Sequence, residues 1–385
     1  MNIIVIGGGA AGLMAAGTAA EQGANVTLFE TNEKVGRKLF ITGKGRCNVC
    51  NDCDAQEVLR NVPVNPRFLY SALGAFSPAD VKAFFEEKGV ALKTERGNRV
   101  FPVSDRASDI IDALFLWVRR TGVSIVHASV SDLVMQDGRV TGVRAGKKTC
   151  LADRVIVATG GASYPQTGST GDGYRFAREA GHTVVPANPS LVPLVESGET
   201  CRSLMGLSLR NVQLTVFENE KKIYTDFGEM LFTHFGLSGP LVLSASAHMR
   251  HIGSKNYRVE IDLKPALDEK TLDKRLLSDF DKHKNSDFIN ALGELLPRKL
   301  IPAVIEKSGI DPREKVNTIT KKQRASLLRM LKCFPVEISG KRPIAEAIVT
   351  TGGVSVREVS PKTMESKKCS GLYFAGEVLD VGAYT

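Results

Sequence analysis

The sequence is poor in aromatic residues and lacks the cysteine pattern of a disulfide-bonded protein. Aromatic residues make up 6% of the 385 residues and tryptophan occurs once, so no stacking platform for single-stranded nucleic acid is indicated. The seven cysteines are an odd number, and outside residues 47–53 they are scattered along the chain. This usage argues against a disulfide framework and favours a reducing, cytoplasmic location.

A membrane segment and a signal peptide are not indicated either. Residues 3–20 are uncharged over 18 positions, which approaches the length of a membrane span. No lysine or arginine precedes this stretch, and eleven of its residues are glycine or alanine. It is therefore a poor signal-peptide core and a weak bilayer helix, and we predict no membrane partner.

The clustered cysteines in GKGRCNVCNDCDA (43–55) do not fit a metal site. An iron–sulfur run of the ferredoxin type needs a fourth cysteine near position 57 with a proline after it, and Glu57 stands there. No second C-x-x-C and no histidine pair occurs at zinc spacing elsewhere. The sequence therefore predicts no metal.

Positive charge is concentrated in one stretch of the chain. The formal net charge is +9, and the segment from Arg298 to Arg342 contains 12 lysines and arginines against four acidic residues. Such a segment is either a solvated helical surface or a contact for a polyanion such as RNA. Composition alone leaves both interpretations open.

The N-terminus carries the pattern of a dinucleotide-binding unit. A short apolar strand, NIIVI, is followed by Gly7-x-Gly9-x-x-Gly12, by an alanine-rich helix and by a second strand that ends in Glu30. The glycines suit a tight turn that approaches a pyrophosphate at a helix N-terminus. Glu30 stands where a carboxylate accepts the hydroxyls of an adenosine ribose.

Two later motifs favour FAD over NAD. The sequence ATGG (158–161) closes a second buried strand, and FAGEVLD (374–380) closes a third. Several turns that converge on one cofactor suit the long FAD molecule better than NAD. No second Gly-x-Gly-x-x-Gly unit occurs for a nicotinamide dinucleotide.

The residue pattern of the rest of the chain predicts a nucleotide-binding domain that is interrupted by an insertion. Residues 206–263 alternate apolar and polar side chains, as in an antiparallel β unit, and residues 268–332 are charged, leucine-rich and helical. A residue pattern typical of β-strands returns from about residue 344. We predict an FAD-binding domain of residues 1–190 plus 344–385, an inserted β-barrel-like domain of residues 191–265 and a basic helical subdomain of residues 266–343.

Taken together, the motifs resemble the BaiN/RdsA (YhiN-type) family of NAD(P)/FAD-dependent oxidoreductases. The resemblance extends over essentially the whole chain. It is carried by GGGAAGLMAA, GRKLFITGKGRCNV, ATGGASYPQTGSTGDGY, LFTHFGLSGP, TTGGVSVREVSPKTMESK and GLYFAGEVLDV. It implies an α/β fold: a two-dinucleotide-binding-like (Rossmann-type) FAD domain with an inserted antiparallel β-barrel and helical subdomain.

The resemblance also implies which residues hold FAD. The pyrophosphate and ribose are expected at Gly7, Gly9, Ala11, Gly12 and Glu30, with Arg37 and Lys38 just beyond. A loop facing the flavin is expected from Thr42, Gly43, Gly45, Arg46, Cys47 and Asn48. The ADP half is expected near Thr159, Gly160 and Gly161, and the ribityl chain and pyrophosphate near Gly376, Glu377 and Asp380.

The sequence departs from the family pattern at its C-terminus. Family members continue beyond the last motif with a TGGYN-like turn and a closing helix, whereas this sequence ends at Thr385. Gly382-Ala383 also stands where the family has an Asp/His-Gly pair. The resemblance places the missing turn against the flavin.

The chemistry implied is reduction of a carbon–carbon double bond conjugated to a carbonyl. Family members are linked to a uridine of ribosomal RNA and to unsaturated 3-oxo bile acids, and NADH or NADPH is the expected transient electron donor. Candidate catalytic residues are Cys47, Arg46 and His234. The basic 298–342 segment favours ribosomal RNA as the substrate. A small-molecule substrate, and a flavin redox sensor or electron shuttle without catalysis, are the alternatives.

Overall fold

A computed structural model describes residues 1–384 and divides the chain into two compact units. Unit 1 contains Met1–Ser190 and the segment from Ile344 onward. Unit 2 contains Leu191–Pro343. Unit 1 is thus built from two stretches of chain that lie on either side of unit 2 in sequence.

The helices and strands of unit 1 come from both of its stretches, and those of unit 2 come from the stretch between them. The first stretch of unit 1 contains β1 (Asn2–Ile6), α1 (Ala10–Glu21), β2 (Asn25–Glu30), α2 (Arg37–Ile41), β3 (Cys50–Asn51), α3 (Ala55–Arg60), α4 (Tyr70–Ala75), α5 (Pro78–Glu87), β4 (Leu92–Glu95), β5 (Arg99–Pro102), α6 (Ala107–Arg120), β6 (Ser124–His127), β7 (Val130–Gln136), β8 (Arg139–Ala145), β9 (Lys148–Leu151), β10 (Arg154–Val157), α7 (Asp172–Glu179) and β11 (Val184–Ser190). Unit 2 contains β12 (Leu194–Glu196), α8 (Thr200–Ser203), β13 (Ser208–Glu218), β14 (Lys221–Phe232), β15 (Gly236–Ser238), α9 (Pro240–Ser246), β16 (Tyr257–Asp262), α10 (Glu269–Lys282), α11 (Phe288–Ala291), α12 (Ile301–Ser308), α13 (Lys321–Lys332) and β17 (Phe334–Lys341). The second stretch of unit 1 adds β18 (Val349–Val354) and β19 (Leu372–Phe374).

A five-stranded parallel sheet forms the centre of unit 1. Its strand order is β19-β10-β1-β2-β6, and every neighbouring pair is parallel. Ile3 to Ile6 of β1 are all buried, as expected for a strand covered on both faces. Because all five strands run the same way, their carboxyl ends lie at one edge of the sheet, where ligands bind in folds of this kind.

Helix α1 packs unusually closely on its neighbours because glycine occurs at two of its buried positions. A Cβ atom at Gly12 would lie 1.8 Å from the carbonyl oxygen of Gly7. A Cβ atom at Gly17 would lie 2.4 Å from the ring of Trp117 in α6. The indole N–H of Trp117 also donates to the Glu21 carboxylate at 2.6 Å, so α1 and α6 are joined by packing and by a hydrogen bond.

Three small antiparallel sheets complete unit 1: β7-β8-β9, β3-β5-β4 and β11-β18. The hairpin between β7 and β8 turns at Asp137 and Gly138, with φ angles of 49° and 74°. Two consecutive positive φ angles are typical of the two-residue turn that Asp-Gly favours. The β11-β18 pair joins the two stretches of unit 1, because its strands lie on opposite sides of the insertion.

Unit 2 is a closed barrel of six antiparallel strands with helices that share its core. The barrel order is β12-β15-β14-β13-β16-β17. Leu214 and Val259 of the barrel belong to the same buried cluster as Leu276, Val304 and Leu327 of the helices. β17 follows the helices in sequence and closes the barrel between β16 and β12. The predicted fold class, a Rossmann-type domain with an inserted antiparallel barrel and a helical part, is confirmed.

Across residues 1–384, no helix is both long enough and apolar enough to cross a membrane.

The contact between Gly17 and Trp117 makes a testable contribution to stability. Gly17→Ala is expected to destabilise the protein by about 1–3 kcal/mol, because the added methyl group overlaps the indole ring and α1 must shift away from α6. The matched control is Gly74→Ala in α4, where nothing lies within 4 Å of the added Cβ. That change is expected to stabilise the helix by about 0.5–1 kcal/mol. Urea denaturation measures both, and equal effects of the two substitutions would contradict the packing described.

Candidate functional site

A cavity of about 320 Å³ opens at the carboxyl edge of the parallel sheet. One residue at the end of each of the five strands lines it: Gly7 after β1, Glu30 in β2, Ala128 after β6, Ala158 after β10 and Ala375 after β19. Its volume is within the range of small-molecule and cofactor sites. All the strands of the sheet therefore deliver residues to one binding site.

The glycine turn provides a backbone surface in this cavity. Gly7 has a φ of 105°, and a Cβ atom there would lie 2.6 Å from the carbonyl oxygen of Ala158. Gly9 is the N-cap residue of α1, has no side chain to cap the helix and has no atom within 4 Å of a Cβ position. The first N–H groups of α1 and the positive end of its dipole thus face open space, as a pyrophosphate requires.

Glu30 is buried and fixed by three hydrogen bonds. Its carboxylate accepts from the Gly8 N–H at 2.7 Å, from the Asn32 N–H at 2.8 Å and from the Asn32 side-chain amide at 2.6 Å. The Asn32 amide also donates to the Thr167 carbonyl, and its oxygen accepts from Arg37. An ionised carboxylate is an acceptor only, so Glu30 is suited to receive the hydroxyl groups of a ribose.

A charged pair joins α2 to the C-terminal stretch of unit 1. The Lys38 ammonium lies 2.6 Å from the Glu377 carboxylate and donates to the Ser163 hydroxyl at 2.7 Å. The other Glu377 oxygen accepts from the Thr350 N–H at 2.7 Å and from Ser163 at 3.3 Å. Lys38 and Glu377 both line the cavity. The pair therefore places a cation and an anion, far apart in sequence, beside the glycine turn.

Two buried hydroxyl groups near the cavity have no hydrogen-bond partner among residues 1–384. They are the side-chain oxygens of Thr159, which lines the cavity, and of Tyr174. Burial, with the nearby carboxylates of Glu377 and Asp380, raises the pKa of the Tyr174 phenol. Neither oxygen is exposed to the cavity, and the Thr159 oxygen faces Gly173 of α7, so these hydroxyls are not ligand contacts. The open glycine turn, the Glu30 carboxylate and the Lys38 ammonium are the features of the cavity that fit the dinucleotide part of FAD.

Most of the predicted cofactor residues meet in this cavity. Those that line it are Gly7, Gly9, Ala11, Glu30, Arg37, Lys38, Thr42, Thr159, Gly160, Gly376 and Glu377. Gly12 and Gly161 lie behind its wall, where a Cβ would contact Gly7 and Thr350 respectively. The Asp380 carboxylate accepts instead from the Asn65 side-chain amide at 3.1 Å.

The loop of residues 43–48 is not among the residues that line the cavity. Within it, the Arg46 guanidinium is 2.9 Å from Glu95 and 3.1 Å from Asp105, and it lies 4.0 Å from the centre of the Phe101 ring. The side-chain N–H of the Asn48 amide donates to the Val100 carbonyl at 3.2 Å. Gly43 is also close to Phe101. These contacts hold the loop, which includes Gly45, against the small β3-β5-β4 sheet.

Cys47 is a buried core residue in this loop. It is 1% exposed and belongs to the same hydrophobic cluster as Leu13 and Val35. Burial raises the pKa of its thiol, and a hydrogen bond with Thr42 offsets part of that effect. Burial also raises the pKa of Cys50, to about 11. Thiols with raised pKa values are protonated near neutral pH and react slowly.

His234 belongs to unit 2, between β14 and β15. Its side chain is exposed, and its ring meets the Phe235 ring edge-on, with 5.0 Å between the ring centres. It is the one candidate catalytic residue that unit 1 does not contain.

Sequence reasoning missed the polar residues that support the charged pair. Ser163, Thr350 and Asn32 bind the side chains of Lys38, Glu377 and Glu30. Ser163 follows the ATGG motif and Thr350 precedes a Gly-Gly pair. Proximity to these glycine turns is the signal that identifies two of them.

Comparison with known proteins gives matches over the whole chain. The family model described as HI0933-like protein Rossmann domain matches residues 1–385. The 3-dehydro-bile acid delta(4,6)-reductase of Clostridium scindens is 32% identical over 386 residues, which cover 99% of this chain and 93% of that protein. The ribosomal RNA dihydrouridine synthase of Haemophilus influenzae is 33% identical, with coverages of 98% and 92%. The protein of the same name from Escherichia coli is 30% identical, with coverages of 99% and 92%.

Gly9→Ala separates cofactor binding from folding. Nothing lies within 4 Å of the added Cβ, so stability without FAD is expected to stay within about 0.5 kcal/mol of the original. The methyl group would occupy the space left for the pyrophosphate, and FAD affinity is expected to fall at least about tenfold, or 1.4 kcal/mol. Fluorimetric titration of apoprotein with FAD and thermal unfolding measure the two effects. Unchanged FAD affinity would contradict the assignment of the turn.

Proposed function

The chain belongs to the HI0933-like family of FAD-dependent oxidoreductases, and on this basis we propose that it reduces a carbon–carbon double bond conjugated to a carbonyl group. The two kinds of relative are named for a bile acid and for ribosomal RNA. An unsaturated 3-oxo steroid and a uridine both present such a bond. FAD, when bound and reduced, supplies the hydride for its β-carbon, and we propose NADH or NADPH as the electron donor.

We assign the binding of FAD to the cavity of unit 1. Gly7 and Gly9 would let the pyrophosphate approach the backbone closely, because they have no side chains, and the first N–H groups of α1 would donate to it. Glu30 would hold the ribose as a hydrogen-bond acceptor. Lys38, fixed by Glu377, would add a positive charge beside the phosphates. The chain thus contributes binding and orientation from residues that its own hydrogen bonds already hold in place.

We propose His234 as the proton donor to the α-carbon. Reduction of a conjugated bond requires a proton at that carbon, and histidine is the side chain that most readily exchanges one near neutral pH. Its ring is exposed, whereas Cys47 is buried and Arg46 is held by two carboxylates. Arginine also keeps its charge throughout the accessible pH range. Arg46 and Cys47 are therefore proposed to stabilise their loop.

We further propose that the substrate is ribosomal RNA, bound through the basic segment of unit 2. The observation that carries this is the placement of Lys321 and Lys322 in the first turn of α13, where both are exposed. Positive charges at a helix N-terminus oppose the helix dipole and reduce stability. They favour a polyanion as partner, because each phosphate contact releases a bound counterion.

Other charges in this segment divide into two groups. Lys315, Arg324 and Lys332 form ion pairs with Asp287, Asp273 and Asp262 and stabilise unit 2 itself. Arg298, Arg313 and Arg329 are exposed and belong to no ion pair within residues 1–384. The charge excess in the sequence therefore overstates the charge available to RNA, but a set of exposed cations remains.

A small unsaturated oxo-compound is the second candidate substrate, because the bile acid reductase is as similar to this chain as the RNA enzymes are. A redox sensor without an organic substrate is disfavoured. Its cysteines would need accessible thiolates, and burial raises the pKa values of Cys47, Cys50 and Cys53.

Removal of the two exposed lysines tests the RNA assignment. Lys321→Gln/Lys322→Gln is expected to weaken binding of ribosomal RNA about 3- to 10-fold near 0.1 M salt. The slope of the logarithm of the binding constant against the logarithm of the salt concentration is expected to become shallower by about two. The matched control, Lys147→Gln/Lys148→Gln in unit 1, removes two exposed lysines and should change neither the affinity for RNA nor its salt dependence.

Mass spectrometry of ribosomal RNA from cells that lack the gene, complemented with each variant, measures dihydrouridine. Unchanged dihydrouridine in the deletion strain would refute the RNA substrate.

Substitution of His234 tests the proton donor. His234→Asn is expected to slow substrate-dependent reoxidation of reduced flavin by about 100-fold or more, because a general acid contributes a factor of this size. Reduction of the flavin by NADH or NADPH should be unchanged. Stopped-flow absorbance under anaerobic conditions measures the two half-reactions separately. Equal slowing of both half-reactions, or an effect of His234→Asn no larger than that of Cys47→Ala, would contradict the assignment.

A further inference from the structure

Asn32 joins four segments of the chain at the edge of the FAD cavity. It lies two residues after β2, is half-buried and lines the cavity. Its amide nitrogen donates to the Glu30 carboxylate at 2.6 Å and to the Thr167 carbonyl at 3.1 Å, and its amide oxygen accepts from Arg37 of α2 at 2.7 Å. Nδ1 of His127, at the end of β6, donates to the Asn32 backbone carbonyl at 2.8 Å. Asn32 thus connects β2, α2, β6 and the turn that contains Thr167.

A side-chain amide is the group that matches these surroundings. The Asn32 nitrogen, with two hydrogens, faces two acceptors, and its oxygen faces a donor. An aspartate of the same size would place a second carboxylate against Glu30. A Cβ at Gly168, where φ is 98°, would lie 2.6 Å from the Asn32 amide nitrogen, so this turn approaches the amide as closely as glycine allows. The position of the amide is therefore fixed from several directions.

The orientation of the Glu30 carboxylate depends on Asn32. The last torsion angle of a glutamate side chain has no sharp preference, so hydrogen-bond donors must hold the carboxylate plane. One oxygen of Glu30 accepts from the Gly8 N–H, and the other accepts from both the N–H and the side-chain amide of Asn32. Asn32 therefore provides all the donors to one of the two carboxylate oxygens.

A ligand hydroxyl is sensitive to this orientation. Glu30 is 8% exposed, so a hydroxyl reaches its carboxylate from a narrow range of directions. Hydrogen bonds weaken steeply when they are misaligned. A carboxylate that rotated would therefore discriminate poorly between a ligand that has the hydroxyl and one that lacks it.

We propose that Asn32 is the positioning residue for the adenosine ribose of FAD. It holds the Glu30 carboxylate in the orientation that accepts a ribose hydroxyl, and it thereby determines the selectivity of this part of the cavity for a ribonucleotide. The inference rests on the proposed binding of FAD in unit 1. It extends that proposal, because it assigns the selectivity to a residue that acts through Glu30.

Competition by ADP and its deoxy analogues tests the role of Asn32. ADP carries the adenosine ribose of FAD, and 2′-deoxy-ADP and 3′-deoxy-ADP each lack one of its hydroxyls. In fluorimetric competition against FAD on the full-length apoprotein, one of the two analogues is expected to bind about tenfold more weakly than ADP, because the Glu30 carboxylate is left unpaired. In Asn32→Leu this ratio is expected to fall to about twofold. Asn32→Ala, which leaves room for water, is expected to show the same fall, and thermal unfolding checks that both variants fold.

Two further variants separate positioning from other roles. Asn25→Leu changes an exposed asparagine at the opposite end of β2, whose amide donates to Asn2, and it is expected to leave the ratio unchanged. In a Glu30→Gln background, Asn32→Leu is expected to change ADP affinity less than about twofold, because the carboxylate that it positions is absent.

The outcomes distinguish failure of this inference from failure of the proposed FAD site. An equal loss of affinity for ADP and both analogues in Asn32→Leu would indicate a purely structural role and overturn the inference. A full additional loss in the Glu30→Gln background would also overturn it, because Asn32 would then contact the ligand directly. Equal competition by all three nucleotides in the original protein, with FAD affinity unchanged by Glu30→Gln, would refute the ribose assignment of Glu30 itself, and the inference about Asn32 would fall with it.

Discussion

The close approach of helix α1 to the turn after β1 is the constraint on which unit 1 depends. A Cβ at Gly12 would lie 1.8 Å from the Gly7 carbonyl oxygen, so only glycine allows the helix to begin so near the strand. This approach aims the first N–H groups of α1 at the space where five strands end. The same space is bounded by Glu30, whose carboxylate is fixed by the Gly8 N–H. Backbone geometry therefore shapes the proposed anion site before any charged side chain contributes.

The charged pair of Lys38 and Glu377 ties the two ends of the chain to this site. Both side chains are about one-fifth exposed, at 22%, so the pair is partly shielded from water and its geometry is further fixed by Ser163 and Thr350. An isolated surface pair contributes little to stability. A partly buried pair with additional hydrogen bonds holds a defined geometry, and its value here is that it positions a cation beside the glycine turn.

Much of this architecture could be predicted from the sequence, because it depends on local patterns. The succession of strand, glycine turn and helix predicts the dinucleotide-binding unit. The alternation of apolar and polar side chains in residues 206–263 predicts the inserted barrel. The surroundings of Arg46 could not be predicted, because its partners Glu95, in β4, and Asp105, after β5, lie 49 and 59 residues away in sequence. The packing of Cys47 in one cluster with Leu13 and Val35 could not be predicted either. Both depend on contacts between distant segments that no local pattern records.

The proposed FAD site lies at the edge where the five parallel strands end. Hydrogen–deuterium exchange of the full chain with and without FAD tests it most directly, since exchange reports the protection of individual backbone segments. With FAD bound, we expect slower exchange in peptides that cover residues 7–13, 30–38, 158–169 and 374–378, because these segments border the cavity. Protection confined to other parts of the chain, with these four segments unchanged, would contradict it.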